Sequence, residues 1–199
     1  MPDYDFSTVE AAIIDQQPNS LRVLRDVLVR LGIKRIDGYG SIKDAASMLS
    51  TTTPDLILVD ADGEEAETLR FIRTLRNEPG VPNPFATIVV TTWQPTPALL
   101  LRVTNTGADD LMVKPVSPKH VQDRLTALIE SRKKFVVTAD YTGPDRRKSP
   151  RDGTQVPLID APNTLRLRAT GRWDQTNLRQ LMTEACRQVS WRPPNRRWS

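Results

Sequence analysis

Two carboxylates, a hydroxyl and an ammonium each close a short apolar run in this chain of 199 residues. Asp15 follows Ala11-Ala12-Ile13-Ile14, and Asp60 follows Leu56-Ile57-Leu58-Val59. Thr91 follows Ile88-Val89-Val90, and Lys114 follows Leu111-Met112-Val113. Paired acids repel each other and suit a hard cation such as Mg²⁺, which prefers oxygen ligands. A carboxylate at Asp60 can attack phosphorus and form an acyl phosphate. A cation and the Lys114 ammonium would then neutralise the transferring group from two sides. Thr91 offers a hydroxyl to a phosphoryl oxygen. The Lys114-Pro115 bond permits a cis peptide that would aim the lysine inward. Asp62, two residues past Asp60, reads equally as a solvated loop acid or as a neighbour of the metal.

Those four residues act together only if the elements before them lie side by side. Leu56–Asp60 is apolar at consecutive positions and bounded by turn signals, which reads as a strand buried on both faces. Such strands belong to parallel sheets covered by helices on both sides. Further strands read at 10–14, 33–39, 87–91 and 111–113, the second weak, charged and suited to an edge. Helices read between them: one with Leu21, Leu24, Val27, Leu28 and Leu31 at helical spacing, then 41–49, 64–76, 98–105 and 117–132. Gly32 and Gly107 read as stops, and Thr96-Pro97 and Ser117-Pro118 as starts. Ser41 to Asp44 resembles a capping box with Asp in place of Glu. Five βα units with short links predict a doubly wound α/β sheet, order 2-1-3-4-5, with chemistry at the carboxyl ends of its strands.

The net charge of +4 conceals a division. Residues 1–132 carry 14 basic and 18 acidic side chains, whereas 133–199 carry 14 and 6. An acidic folded part with a basic extension is a two-part protein. In the extension, Lys133–Thr138 and Leu165–Ala169 read as short strands, Tyr141–Gly153 as irregular, and 174–189 as a helix. The single cysteine, Cys186, excludes an internal disulfide framework and suits a reducing cytosol. His120 reads as a surface residue, with no partners for a zinc site. No leader-like segment or membrane-length apolar run is visible, so a cytoplasmic protein without membrane contacts is expected.

The ordered set Asp15, Asp60, Thr91 and Lys114-Pro115 resembles the receiver domain of bacterial two-component response regulators, over roughly residues 8–132. The resemblance implies that Asp60 accepts a phosphoryl group from a histidine kinase or a histidine phosphotransfer protein. It implies Mg²⁺ held by the acids and by the backbone carbonyl of Asp62. It also makes Thr91 and Lys114 the residues that respond to the new charge. Four departures stand out. Gln16 replaces an acid, which weakens the metal site. Thr92-Trp93-Gln94-Pro95 is bulky where a small residue is common. Leu111 stands at an aromatic position, and Glu64 where proline is common. A functional but atypical receiver is expected, with a phosphorylation-independent pseudo-receiver as the variant.

A second class remains. The run Asp60-Ala61-Asp62-Gly63 resembles the catalytic loop of haloacid-dehalogenase-type phosphatases, but lacks their following Thr or Val and their later acidic pair. Output is expected through protein contacts or dimerisation, by the face of helix four, strand five and helix five or by the extension. Ala98–Val103 is more apolar than one buried face requires, which suits that role. Arg146-Arg147-Lys148 and Arg151 could grip nucleic-acid phosphates, but no helix-turn-helix is visible and this is not favoured. Arg147 and Arg151 have the spacing of a PilZ half-motif whose other half is missing. The run Tyr141 to Arg147 also resembles extensions that follow some bacterial receivers.

Overall fold

A computed structural model of the chain describes residues 4–49, 51–78, 81–138, 141–147, 158–174, 180–181 and 184–185. Five strands form one parallel sheet: β1 (Glu10–Ile14), β2 (Arg35–Tyr39), β3 (Leu56–Asp60), β4 (Thr87–Thr92) and β5 (Asp110–Val113). Their order is β2-β1-β3-β4-β5, as the sequence predicts. β3 and β4 are buried at every position, whereas edge strand β2 is mostly exposed. The connecting helices are α1 (Pro18–Arg30), α2 (Ile42–Leu49), α3 (Glu65–Asn77), α4 (Pro97–Thr104) and α5 (Pro118–Glu130).

Strand alternation divides the core into two layers. Ile13, Leu58, Val89 and Met112 face Leu24 and Leu28 of α1 and Val121 and Leu125 of α5. Ile14, Val59 and Val90 face Ala45 of α2, Ile72 of α3, and Leu99 and Val103 of α4. Each fully buried aliphatic side chain contributes about 1.5–3 kcal/mol by leaving water. The helix signals act as expected. Thr96 and Ser117 cap α4 and α5 by accepting from the amides of Leu99 and His120. Gly32 and Gly107 carry positive φ at the helix stops. Ser41 accepts from the Asp44 amide, but the short Asp44 side chain takes the Ser41 hydroxyl instead of a backbone amide.

The extension forms a small antiparallel sheet, order β7-β6-β8, and one short helix. These are β6 (Phe135–Val137), β7 (Thr142–Pro144), β8 (Leu158–Ile159) and α6 (Thr164–Ala169). Two expectations are corrected. Leu165–Ala169 is helical: Asn163 caps it by accepting from the Arg166 amide, and Leu165 and Ala169, one turn apart, are buried. The Leu–Arg alternation was therefore half of a helical face rather than a strand. Within Tyr141–Gly153, residues 142–144 are a strand, because β6 supplies a pairing edge. Of the helix read at 174–189, Asp174 is described and not helical, residues 180, 181, 184 and 185 are described and helical, and the rest, with Cys186, lies outside the described residues.

Phe135 fixes this sheet to the receiver. It is fully buried, meets Phe85 edge-on at 5.6 Å, and sits between the guanidinium groups of Arg76 and Arg132. Both arginines bond Asp109, and both donate to the carbonyl of Ala86. Gly107 packs against the backbone of Thr142 and Gly143, where a Cβ would collide. At the opposite corner, Arg168 of α6 pairs with buried Asp55 at 3.1 Å and with Glu10 at 3.3 Å.

Candidate functional site

β1, β3 and β5 deliver Asp15, Asp60 and Lys114 to one point at the carboxyl edge of the sheet. The Lys114 ammonium lies 2.8 Å from an Asp15 oxygen and 2.5 Å from Asp60 Oδ1. All three side chains are buried, and the Lys114–Pro115 peptide is cis. The second Asp15 oxygen accepts from the Gln17 amide at 2.9 Å, while its Oδ2 also takes the Ser20 hydroxyl, so Asp15 ties the start of α1 to the site. Asp60 Oδ2 accepts from the Asp62 amide at 3.1 Å. Thr68 of α3 donates to the Asp60 carbonyl at 2.8 Å, which fixes the strand end.

Burial pushes the Asp60 carboxyl up to about 6, against the pull of Lys114. Burial alone would lower Lys114, but its two carboxylates outweigh it and hold the ammonium above its usual range. At neutral pH the carboxylate is ionised and neutralised by one cation. That leaves a nucleophile that shares one ammonium with Asp15 and whose second oxygen accepts from a backbone amide.

The two hydroxyls at the end of β4 have different surroundings. Thr91 is fully buried and its oxygen has no hydrogen-bond partner. Its register partners are Asp60 and Met112, and alternation puts it on the α1/α5 side with Val89. Thr92, on the opposite side with Val90, donates to Asp62 Oδ1 at 2.7 Å. The Trp93 amide donates to Asp62 Oδ2 at 2.9 Å. The hydroxyl that meets the acidic cluster is therefore that of Thr92. Two adjacent threonines point to opposite faces.

Asp62 is not a free loop acid. Its carboxylate is engaged by Thr92 and Trp93 and stands 3.8 Å from Lys114. Among the described residues, no group of three or more His, Cys, Asp or Glu side chains could hold a metal ion. The donor set still fits a hard cation in part, since Asp15 and Asp60 converge on one positive centre. Gln16 is exposed and adds no charge. His120 is exposed, in keeping with a surface residue.

The fold and this edge define a receiver of the CheY-like kind. The family model described as the response regulator receiver domain matches residues 11–126, and the chain belongs to that family. A Rhizobium etli protein described as "Probable chemotaxis protein CheY" is 23% identical over 125 residues, covering 63% of this chain and 95% of the relative. A response regulator from Thermotoga maritima superposes with a TM-score of 0.55 at 22% identity, over 62% of this chain and 99% of its own. The chemotaxis response regulator CheY4 of Vibrio cholerae gives 0.54 at 16% identity, over 61% and 98%. At these identities the solved structures speak for the fold. The family match stops before the extension. No helix among the described residues is long and apolar enough to cross a membrane.

Proposed function

We propose that this chain is a cytoplasmic response regulator whose Asp60 accepts a phosphoryl group from a histidine kinase or a histidine phosphotransfer protein. The observation that carries this reading is the buried Asp60 carboxylate at the end of β3, 2.5 Å from the Lys114 ammonium. An Asp60 oxygen attacks phosphorus, the P–N bond of a phosphohistidine breaks, and the imidazole leaves with its electron pair. Lys114 follows the charge from the carboxylate to the phosphoryl oxygens, and Asp15 keeps the ammonium in place. Asp15, Asp60 and the Asp62 carbonyl would hold Mg²⁺, weakly because Gln16 is uncharged; when bound, the ion neutralises phosphoryl oxygens. The chain acts as a phosphoacceptor rather than a turnover enzyme.

Output is proposed through protein contacts. Leu100 and Leu101 on α4, Val113 on β5 and Trp93 in the preceding loop are exposed together, and they suit a dimer or a protein partner. Among the described residues, the extension has a three-stranded sheet and the six-residue helix α6. The test is intact-protein mass spectrometry after incubation with acetyl phosphate and Mg²⁺. A labile phosphoryl adduct absent in Asp60→Asn supports the reading; an unmodified wild type defeats it.

A further inference from the structure

A phosphoryl group on Asp60 would bring close to two negative charges and three acceptor oxygens into a buried corner. It needs hydrogen-bond donors there, because unpaired buried charge is costly. Asp60 itself meets the Lys114 ammonium and the Asp62 amide, and the Asp62 carboxylate two residues on meets the Thr92 hydroxyl and the Trp93 amide. The last two stand at the end of β4 and in the loop that leads to α4, and both are already taken. Asp62 Oδ1 holds the Thr92 hydroxyl at 2.7 Å and Oδ2 holds the Trp93 amide at 2.9 Å. The same carboxylate faces Lys114 at 3.8 Å.

We infer that the Asp62 carboxylate is a built-in stand-in for the phosphoryl group. It occupies the donor set that an acyl phosphate on Asp60 requires, and it holds the β4–α4 loop in its engaged position without phosphorylation. The inference rests on Asp60 as the phosphoacceptor. Two consequences follow from charge. A phosphoryl group cannot share those donors with an adjacent carboxylate without like-charge repulsion, so Asp62 must swing out when Asp60 is modified. The loop then exchanges one anion for another, and its response to phosphorylation is small. Gly63, at φ +90, lets the chain turn directly after Asp62. Three further bonds brace the same loop: Thr92 accepts from the Gln94 amide at 3.0 Å, the Lys114 amide donates to the Thr92 carbonyl at 2.8 Å, and Thr96 caps α4. Asp62 thus connects the acceptor site to the start of α4.

The test follows the Trp93 backbone amide by two-dimensional NMR of the full chain, alongside the rate of adduct formation with acetyl phosphate and Mg²⁺. In the wild type the Trp93 amide is protected before any phosphodonor is added and shifts little afterwards. In Asp62→Ala it exchanges with solvent about tenfold faster, as expected for loss of one charge-assisted hydrogen bond. Phosphodonor then restores its protection, and the adduct forms several-fold faster, roughly the gain from removing one adjacent like charge. Asp62→Asn, which keeps the shape and removes the charge, falls between the two. Trp93 exchange unchanged in both variants overturns the inference, as does an adduct that forms no faster in either. If Trp93 loses protection in Asp62→Ala yet no protein is phosphorylated, the occupied donor set stands and the phosphoacceptor reading of Asp60 falls.

Discussion

One ammonium holds the site together. Lys114 is shared by Asp15 and Asp60, so the two acids are close without an ion between them. Restoring the missing acid tests the weak-metal reading. Gln16→Asp is expected to tighten Mg²⁺ about tenfold, because affinity for hard cations follows ligand charge. A titration monitored by NMR shifts of the Asp60 and Asp62 amides measures this, and an unchanged affinity would place the metal away from position 16. A second buried acid lies at the far end of β3. Burial pushes Asp55 up to about 6 from the ordinary 3.8, against the Glu10 amide and Arg168. A carboxyl raised on folding contributes stability that is fully present below about 4 and lost as pH rises through about 6. The unfolding free energy from urea titrations should therefore fall between pH 4 and pH 7 by an amount on the order of 2–3 kcal/mol, and Asp55→Asn should remove that part of the slope. Equal slopes in both proteins would contradict it. Asp15, Asp60 and Lys114 were legible from sequence because each ends an apolar strand. The contact between the Asp62 carboxylate and Thr92 was not, because it depends on which way two side chains turn. Asp55 looked only like part of a turn, and its partner Arg168 lies more than a hundred residues away.

Elements were read well where periodicity was long and caps were explicit. α4 and α5 begin at the caps that Thr96 and Ser117 announced, and the five strands take the order expected of short right-handed βα links. Reading failed where segments were short and their partners distant. Residues 142–144 are a strand only because β6 lies beside them, and 165–169 are a helix because Asn163 caps them. Arg76 carried a missed signal: it stands four residues after Ile72 on the buried side of α3, where a charge needs a partner. Its partner is Asp109, reached across the sheet at 2.8 Å. The junction of α4 with β7 makes an element-level prediction. Gly107 has φ +93, and a Cβ there meets the Thr142 carbonyl. Gly107→Ala is expected to cost roughly 2 kcal/mol or more through strain and overpacking. The loss should appear in chemical denaturation together with faster amide exchange in β7; a stability within error of the wild type would contradict the close packing.

At the scale of the molecule, the described part of the extension packs against the receiver. Tyr141 donates to the Pro144 carbonyl at 2.8 Å, and Arg146 covers its ring and bonds Asn105 just beyond α4. The run that resembled known receiver extensions therefore grips the end of α4 opposite the Asp62 brace. Its basic charge was legible, but its docking was not, since the contacts join residues far apart in sequence. Phe135→Ala is expected to destabilise the whole protein by about 3–5 kcal/mol, because it empties a cavity between Arg76, Arg132 and Phe85. A single cooperative transition at lower urea is the predicted signature; an unchanged receiver transition with only the extension released would contradict one folding unit. The measurement that bears most directly on the account is peptide mapping of the wild-type chain after acetyl phosphate and Mg²⁺, with the acyl phosphate trapped by reduction. Modification at Asp60, lost in Asp60→Asn, is the predicted result. An unmodified chain, or a modified carboxylate elsewhere with Asp60 intact, would contradict the account.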